Sequence, residues 1–172
     1  MQVPQSLQTI AEISIAFAGF SGLIVALRKN IGPLTDLEKF RLQILLTLAF
    51  GAMFLSFLPE LLENFQTNAH DTWVYAGSAV CLYSFGFLVW WILASRRFAR
   101  EFPEIFQWSA FIRMAAGHIA IILLQLSVIF SLVADKGAAA FVIALVWYLI
   151  HAAQQFARML FVQPNFPDRS AR

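Results

Sequence analysis

The 172-residue chain is 60% hydrophobic and only 13% charged, with a mean hydropathy of +0.71. Because a soluble domain carries about 25% charged residues, this chain has too few to cover a water-exposed surface, and an integral membrane protein is the predicted class. The single cysteine, Cys81, excludes a disulfide framework and a cysteine-based metal site.

Five apolar stretches predict an all-α bundle of five transmembrane helices, since a membrane span needs about 20 residues. The predicted spans form one transmembrane domain over residues 1–172 and cover roughly residues 10–28, 42–60, 73–95, 113–134 and 138–158. The second span is short and is expected to continue past Pro59 with a kink. Four spans with one helix on the membrane surface is the alternative.

Local motifs predict where helices begin and turn. Thr9 with Glu12, and Thr35 with Glu38, have the spacing of a capping box, in which both side chains bond to free backbone N–H groups. Residues 135–137, Asp-Lys-Gly, predict a tight turn. The fourth and fifth helices should therefore form an antiparallel hairpin.

The basic residues predict the orientation of the chain. In the five-span threading, all but one of the 12 Lys and Arg residues fall on one side of the membrane, and Lys136 is the exception. The positive-inside rule then places the N-terminus outside and the C-terminus in the cytoplasm. The expected location is the plasma membrane, or the inner membrane of a Gram-negative cell.

Small residues recur in the first span at a spacing that favours close helix packing. The predicted helix-packing ridge consists of Ser14, Ala18, Gly22 and Ala26, and a second small face lies beside Glu12 at Ala16 and Gly19. A helix with two such faces is expected at the centre of a bundle. The ridge serves either internal packing or contact with another subunit.

Glu12 is the one charged residue in this first apolar run. If Thr9 caps the helix, Glu12 lies in the first turn and stabilises the helix end. Over these few residues, Ala11-Glu12 also resembles the start of the first helix in small multidrug resistance transporters, where a glutamate binds protons and drugs. That resemblance implies a transport role for Glu12.

Polar side chains inside the last two spans should meet. His118 and Gln125 share a face of the fourth helix, and His151, Gln154 and Arg158 share a face of the fifth. The hairpin places the two histidines at the same depth. The candidates for a pore or polar cluster are therefore Glu12, His118, Gln125, His151, Gln154 and Arg158.

Three functions fit this cluster. The preferred one is a packing or assembly subunit of a homo-oligomer or of a complex with a partner membrane subunit, in which the polar groups join helices. The second is an oligomeric ion channel or small transporter, with histidines that titrate near neutral pH. The third is a b-type haem protein with His118 and His151 as weak candidate ligands; otherwise no cofactor and no metal are expected.

Enzyme motifs are missing from the sequence. It has no glycine-rich phosphate loop, no GxSxG, no HExxH and no CxxC. We therefore expect no enzymatic activity. The basic loops are short and follow the membrane edges, so the expected partners are the lipid bilayer and other membrane subunits rather than nucleic acid.

Overall fold

The computed structural model describes residues 5–28, 33–65, 68–101, 103, 107–133 and 136–161. This part of the chain is all helical and contains no strand. Its six helices are α1 (Gln5–Arg28), α2 (Asp36–Ser56), α3 (Leu58–Asn64), α4 (Ala69–Glu101), α5 (Trp108–Ile129) and α6 (Gly137–Phe161). With α2 and α3 taken as one segment, five are long and apolar enough to cross a membrane. The predicted set of five apolar helices is confirmed, and it is compatible with a membrane protein.

One of the two predicted capping boxes is present. At the start of α2, Thr35 Oγ1 accepts a hydrogen bond from the Glu38 N–H at 3.3 Å, and the Thr35 N–H donates to Glu38 Oε2 at 2.9 Å. The other is absent, because α1 is already helical at Gln5 and Thr9 lies in its second turn. The prediction that Glu12 lies in the first turn is therefore wrong.

The second span continues past Pro59, as predicted. α2 ends at Ser56, and α3 begins at Leu58 with Pro59 in its first turn. Proline fits there because first-turn N–H groups have no intrahelical partner to lose.

α5 begins and ends earlier in the chain than the fourth predicted span. Ser131 follows it with φ 57°, in the left-handed region. The Ser131 N–H donates to the Val128 carbonyl and the Leu132 N–H to the Ser127 carbonyl, both at 2.9 Å. This pair of bonds is a Schellman motif, in which the left-handed residue is usually glycine. Here that residue is Ser131, so no glycine or proline marks the end of α5 in the sequence. Of the predicted turn, residue 135 lies outside the described residues, and Gly137 is the first residue of α6.

α6 is the central helix of the bundle. It contacts α1, α2, α4 and α5, and half of the residues in its most apolar stretch are buried, against 22% for α1. Its fully buried side chains include Phe141, Ala144, Leu145 and Tyr148. α1 packs mainly on α2 and α6, at the edge of the described bundle. The expectation that α1 is central is therefore wrong.

Candidate functional site

A pair of histidines joins α5 to α6 in the core. His118 Nε2 and His151 Nδ1 are 3.1 Å apart, and both side chains are fully buried. The structure thus brings together the two residues that the hairpin was expected to place at one depth. Because this single contact uses one nitrogen of each ring, one imidazole donates and the other accepts.

Aromatic rings surround the histidine pair on several sides. The ring centroid of His118 lies 4.9 Å from that of Phe87 and 5.9 Å from that of Tyr148. The His151 ring lies 5.4 Å from that of Trp91. The pair is therefore held in an apolar environment, where a polar group without a partner is costly.

Both histidines have an outer nitrogen without a partner. His118 Nδ1 and His151 Nε2 are buried and accept or donate no hydrogen bond within the described part of the chain. The pair is consequently a short chain of four ring nitrogens with two free ends. Such a chain can pass a proton from one outer nitrogen to the other if each end meets water or another polar group.

Gln125 is fully buried but lies apart from the histidines. Its Nε2 donates to the Ala140 carbonyl on α6 at 2.8 Å. Its Oε1 has no hydrogen-bond partner among the described residues and faces Gly77 on α4. Gly77 leaves the space that this amide needs, because a methyl group there would lie 2.9 Å from Oε1. Gln125 therefore joins three helices, as a packing residue does.

The polar face of α6 is rotated from the predicted one. Gln155 is buried, with 4% of its surface exposed, whereas Gln154 is only half-buried. Arg158 is half-buried, and its backbone carbonyl accepts a hydrogen bond from Arg41 Nη1 at 3.2 Å. Neither Gln154 nor Arg158 contacts the histidine pair through a hydrogen bond in the described structure. The predicted cluster is thus reduced to His118 and His151.

Sequence reasoning missed a second buried polar contact. Ser84 on α4 and Tyr148 on α6 share a short hydrogen bond between their hydroxyl groups, and both side chains are fully buried. Tyr148 precedes His151 by three residues on the same face of α6, so the helical period that selected His151 also selects Tyr148. Ser84 gives no comparable signal.

The histidine geometry does not fit a haem between these two residues. Their nitrogens bond directly at 3.1 Å, so the rings would have to separate before an iron could bind between them. The described residues contain no group of three or more His, Cys, Asp or Glu side chains placed to hold a metal ion. Two histidines alone are a poor zinc site.

The predicted ridge on α1 passes from the buried to the exposed side of the helix. Ser14 is buried and bonds to the Ile10 carbonyl at 2.7 Å, Ala18 is half-buried, and Gly22 and Ala26 are exposed. The cause is geometric, since a four-residue step turns about 40° beyond a full turn of the helix. Four such positions turn about 120° around the helix axis in total, which here leads from the buried side of α1 to its exposed side.

Glu12 lies on the uncovered side of α1. It is exposed, and its Oε1 accepts a hydrogen bond from Gln8 Nε2 at 3.0 Å. Seven-residue steps return nearly to the same face, so an exposed stripe follows Glu12 along the helix. This α1 stripe consists of Glu12, Ala16, Gly19, Leu23 and Ala26.

Comparison with protein-family models, with curated proteins and with solved structures finds no significant match to this chain.

Proposed function

We propose that this chain is a multi-pass membrane subunit that assembles with further copies of itself through the α1 stripe. The observation that carries the proposal is an acidic side chain followed by mostly small residues on a face that the rest of the described chain leaves uncovered, on a helix long and apolar enough to cross a membrane. In the proposed orientation the N-terminus is outside and the C-terminus cytoplasmic, in the plasma membrane or a Gram-negative inner membrane.

The energetics of the α1 stripe support assembly. A carboxylate on a lipid-facing helix surface is costly, and ionisable residues in spans usually face protein or water. Small residues allow the backbone of a second helix to approach closely, which strengthens van der Waals packing in lipid. Gly19 is open, because nothing lies within 4 Å of the position that a Cβ would occupy.

The polar end of the α1 stripe favours a second copy of this chain as its partner. Gln8 already donates to Glu12 within one helix. In a parallel pair of α1 helices, the same amide can donate to the Glu12 carboxylate of the neighbouring copy. The interface would then satisfy the polar groups that a lipid chain leaves without partners.

The first prediction tests assembly through α1. Gly19→Leu places a large side chain on the α1 stripe without a clash inside the subunit, so we expect the oligomer to dissociate while the monomer stays folded. Native mass spectrometry of the full-length protein in mild detergent measures the stoichiometry, and thermal unfolding checks the fold.

Gly86→Leu is the matched control. Gly86 lies on the exposed side of α4 and also has nothing within 4 Å of its Cβ position. We expect this variant to keep the wild-type stoichiometry. If the wild type is monomeric, or if both variants assemble equally well, the proposal is wrong.

A proton relay is the second candidate function, and the unpartnered outer nitrogens of His118 and His151 favour it. Two directly bonded imidazoles provide a path for a proton between the two outer ring nitrogens. Two buried nitrogens without partners cost stability, and a water or polar group that meets them during proton transfer would offset that cost.

The second prediction separates a relay from a structural role. In the double variant His118→Gln/His151→Gln, the amides keep hydrogen-bonding capacity but cannot take up a proton at neutral pH. We expect proton flux into liposomes under a pH gradient to fall to the level of empty vesicles, while stability changes by about 1 kcal/mol. Tyr148→Phe is the control for loss of a buried polar group. Wild-type flux that is no higher than in empty vesicles, or flux that survives in the double variant, would exclude the relay.

A further inference from the structure

A pocket of about 90 Å³ lies at the end of the bundle where α2, α4, α5 and α6 converge. Five polar residues contribute to its wall: Arg41, Ser95, Gln107, Gln155 and Arg158. Aromatic residues form much of the remainder, among them Phe40, Trp91, Phe98 and Phe111. The pocket therefore combines positive charge with an apolar surface.

Among the described residues, no direct ion pair neutralises the positive charge of this pocket. Arg41 and Arg158 are half-buried, and neither forms a salt bridge with an acidic side chain among the described residues. Arg41 is repelled by Arg158, and Arg158 by Arg113. Glu38 attracts Arg41, but its Oε2 accepts hydrogen bonds from the backbone and side chain of Thr35.

Buried polar side chains supply further hydrogen-bonding groups. Gln155 and Ser95 both line the pocket, with only 4% and 2% of their surfaces exposed. Two arginines, two glutamines and a serine thus line a small volume. The planar fork of arginine suits phosphate and carboxylate oxygens, which it binds through two parallel hydrogen bonds.

We propose that this pocket binds a phosphate group, with the headgroup of an anionic phospholipid as its source. The volume suits a phosphate but is well below the roughly 300–1,000 Å³ of a site for a drug-sized molecule. The pocket lies near the ends of spanning helices, where lipid headgroups are found, and basic pockets between such helices are typical sites for them. The aromatic residues of the wall can contact the glycerol and upper acyl chain. This site does not depend on assembly through α1.

The experiment measures lipid adducts on the full-length protein by native mass spectrometry in phosphate-free buffer. Dioleoylphosphatidylglycerol is the anionic lipid, dioleoylglycerol has the same chains without phosphate, and inorganic phosphate is the soluble source. We expect the wild type to retain the phospholipid and not dioleoylglycerol. Displacement of the lipid by millimolar inorganic phosphate would identify a site for the free anion as well, and resistance to displacement a site for the lipid headgroup.

Variants then locate the adduct. We expect R41Q/R158Q to weaken phospholipid binding about tenfold or more, the effect of losing a charge-assisted hydrogen bond. R96Q/R100Q removes the same charge from exposed positions on α4 outside the pocket, and should change binding by no more than about twofold. Should R41Q/R158Q fail to fold, R41K/R158K keeps both charges and loses only the guanidinium forks. It should bind several-fold more weakly than wild type.

Two results would overturn the proposal. One is that R41Q/R158Q binds the phospholipid as strongly as R96Q/R100Q does. If R41Q/R158Q does not fold, the equivalent result is that R41K/R158K binds the phospholipid as strongly as the wild type does. The other is retention of dioleoylglycerol as strong as that of the phospholipid, because the phosphate would then contribute nothing.

Discussion

At the residue scale, two threonine–glutamate pairs with the same spacing have different structures. Thr35 and Glu38 cap α2, whereas Thr9 and Glu12 lie inside α1. The difference lies in the residues that precede each threonine. Pro33 disfavours helix in the residue before it, so the chain enters α2 from extended backbone. No proline or glycine stands between Gln5 and Thr9, so α1 simply continues through them. A capping motif thus predicts a helix start only where the preceding residues stop the helix.

The third prediction uses these two threonines as a matched pair. Thr35→Ala removes the side-chain oxygen that accepts the Glu38 N–H, and should cost about 1 kcal/mol of unfolding free energy. Thr9→Ala removes an exposed side chain from a helix interior, where alanine is at least as favourable, and should cost nothing. Denaturant unfolding in detergent measures both. Equal effects of the two substitutions would contradict the assignment of the caps.

At the element scale, periodicity identified the helices and the histidine pair but not the details of their faces. His118 and His151 meet because each lies on an inward face at a matching distance from the α5–α6 connection. Gln154 was expected on the same inward face, but Gln155 takes the buried position, since a shift of one residue turns a side chain by about 100°. Whether Gln154 or Gln155 is buried depends on where the neighbouring helices pack. The apolar pattern of α6 alone does not give their positions.

The fourth prediction concerns the contact between α5 and α6. A methyl group at Gly117 would overlap the indole of Trp147, whereas nothing lies near the corresponding position at Gly86. Gly117→Ala should therefore destabilise the protein by about 1–3 kcal/mol through overpacking. Gly86→Ala should be neutral or slightly stabilising, because alanine favours helix. Thermal unfolding of the two variants in the same detergent checks the difference, and a stable Gly117→Ala would show that α5 and α6 are not this close.

At the scale of the whole molecule, the sequence predicted the number of helices apolar enough to cross a membrane but not their arrangement. α6 is the least apolar of the five candidate spans, yet it is the most buried. The reason is that lipid is itself apolar, so a lipid-facing helix needs hydrophobic side chains all round its outer surface. The central helix can instead hold polar residues such as His151 and Gln155 against its neighbours. Hydrophobicity therefore does not rank the helices of this bundle by burial.

The fifth prediction tests the orientation of the bundle. Single cysteines replace exposed residues in a Cys81→Ser background: Gln5 before the apolar part of α1, Asn68 before α4, and Ser109 at the start of α5. We expect a membrane-impermeant maleimide to label Gln5→Cys and Asn68→Cys in intact cells, and Ser109→Cys only after permeabilisation. Labelling of Gln5→Cys and Asn68→Cys from opposite sides would support four spans and contradict five.

Trp91 separates the pocket at the arginine end from the histidine pair. Its side chain lines that pocket and also packs against the His151 ring, with 4% of its surface exposed. The same indole also lies 6.4 Å from the His118 ring, between ring centroids. Trp91 is therefore shared by the arginine pocket and the histidine pair, and a substitution at this one position is expected to change the surroundings of both.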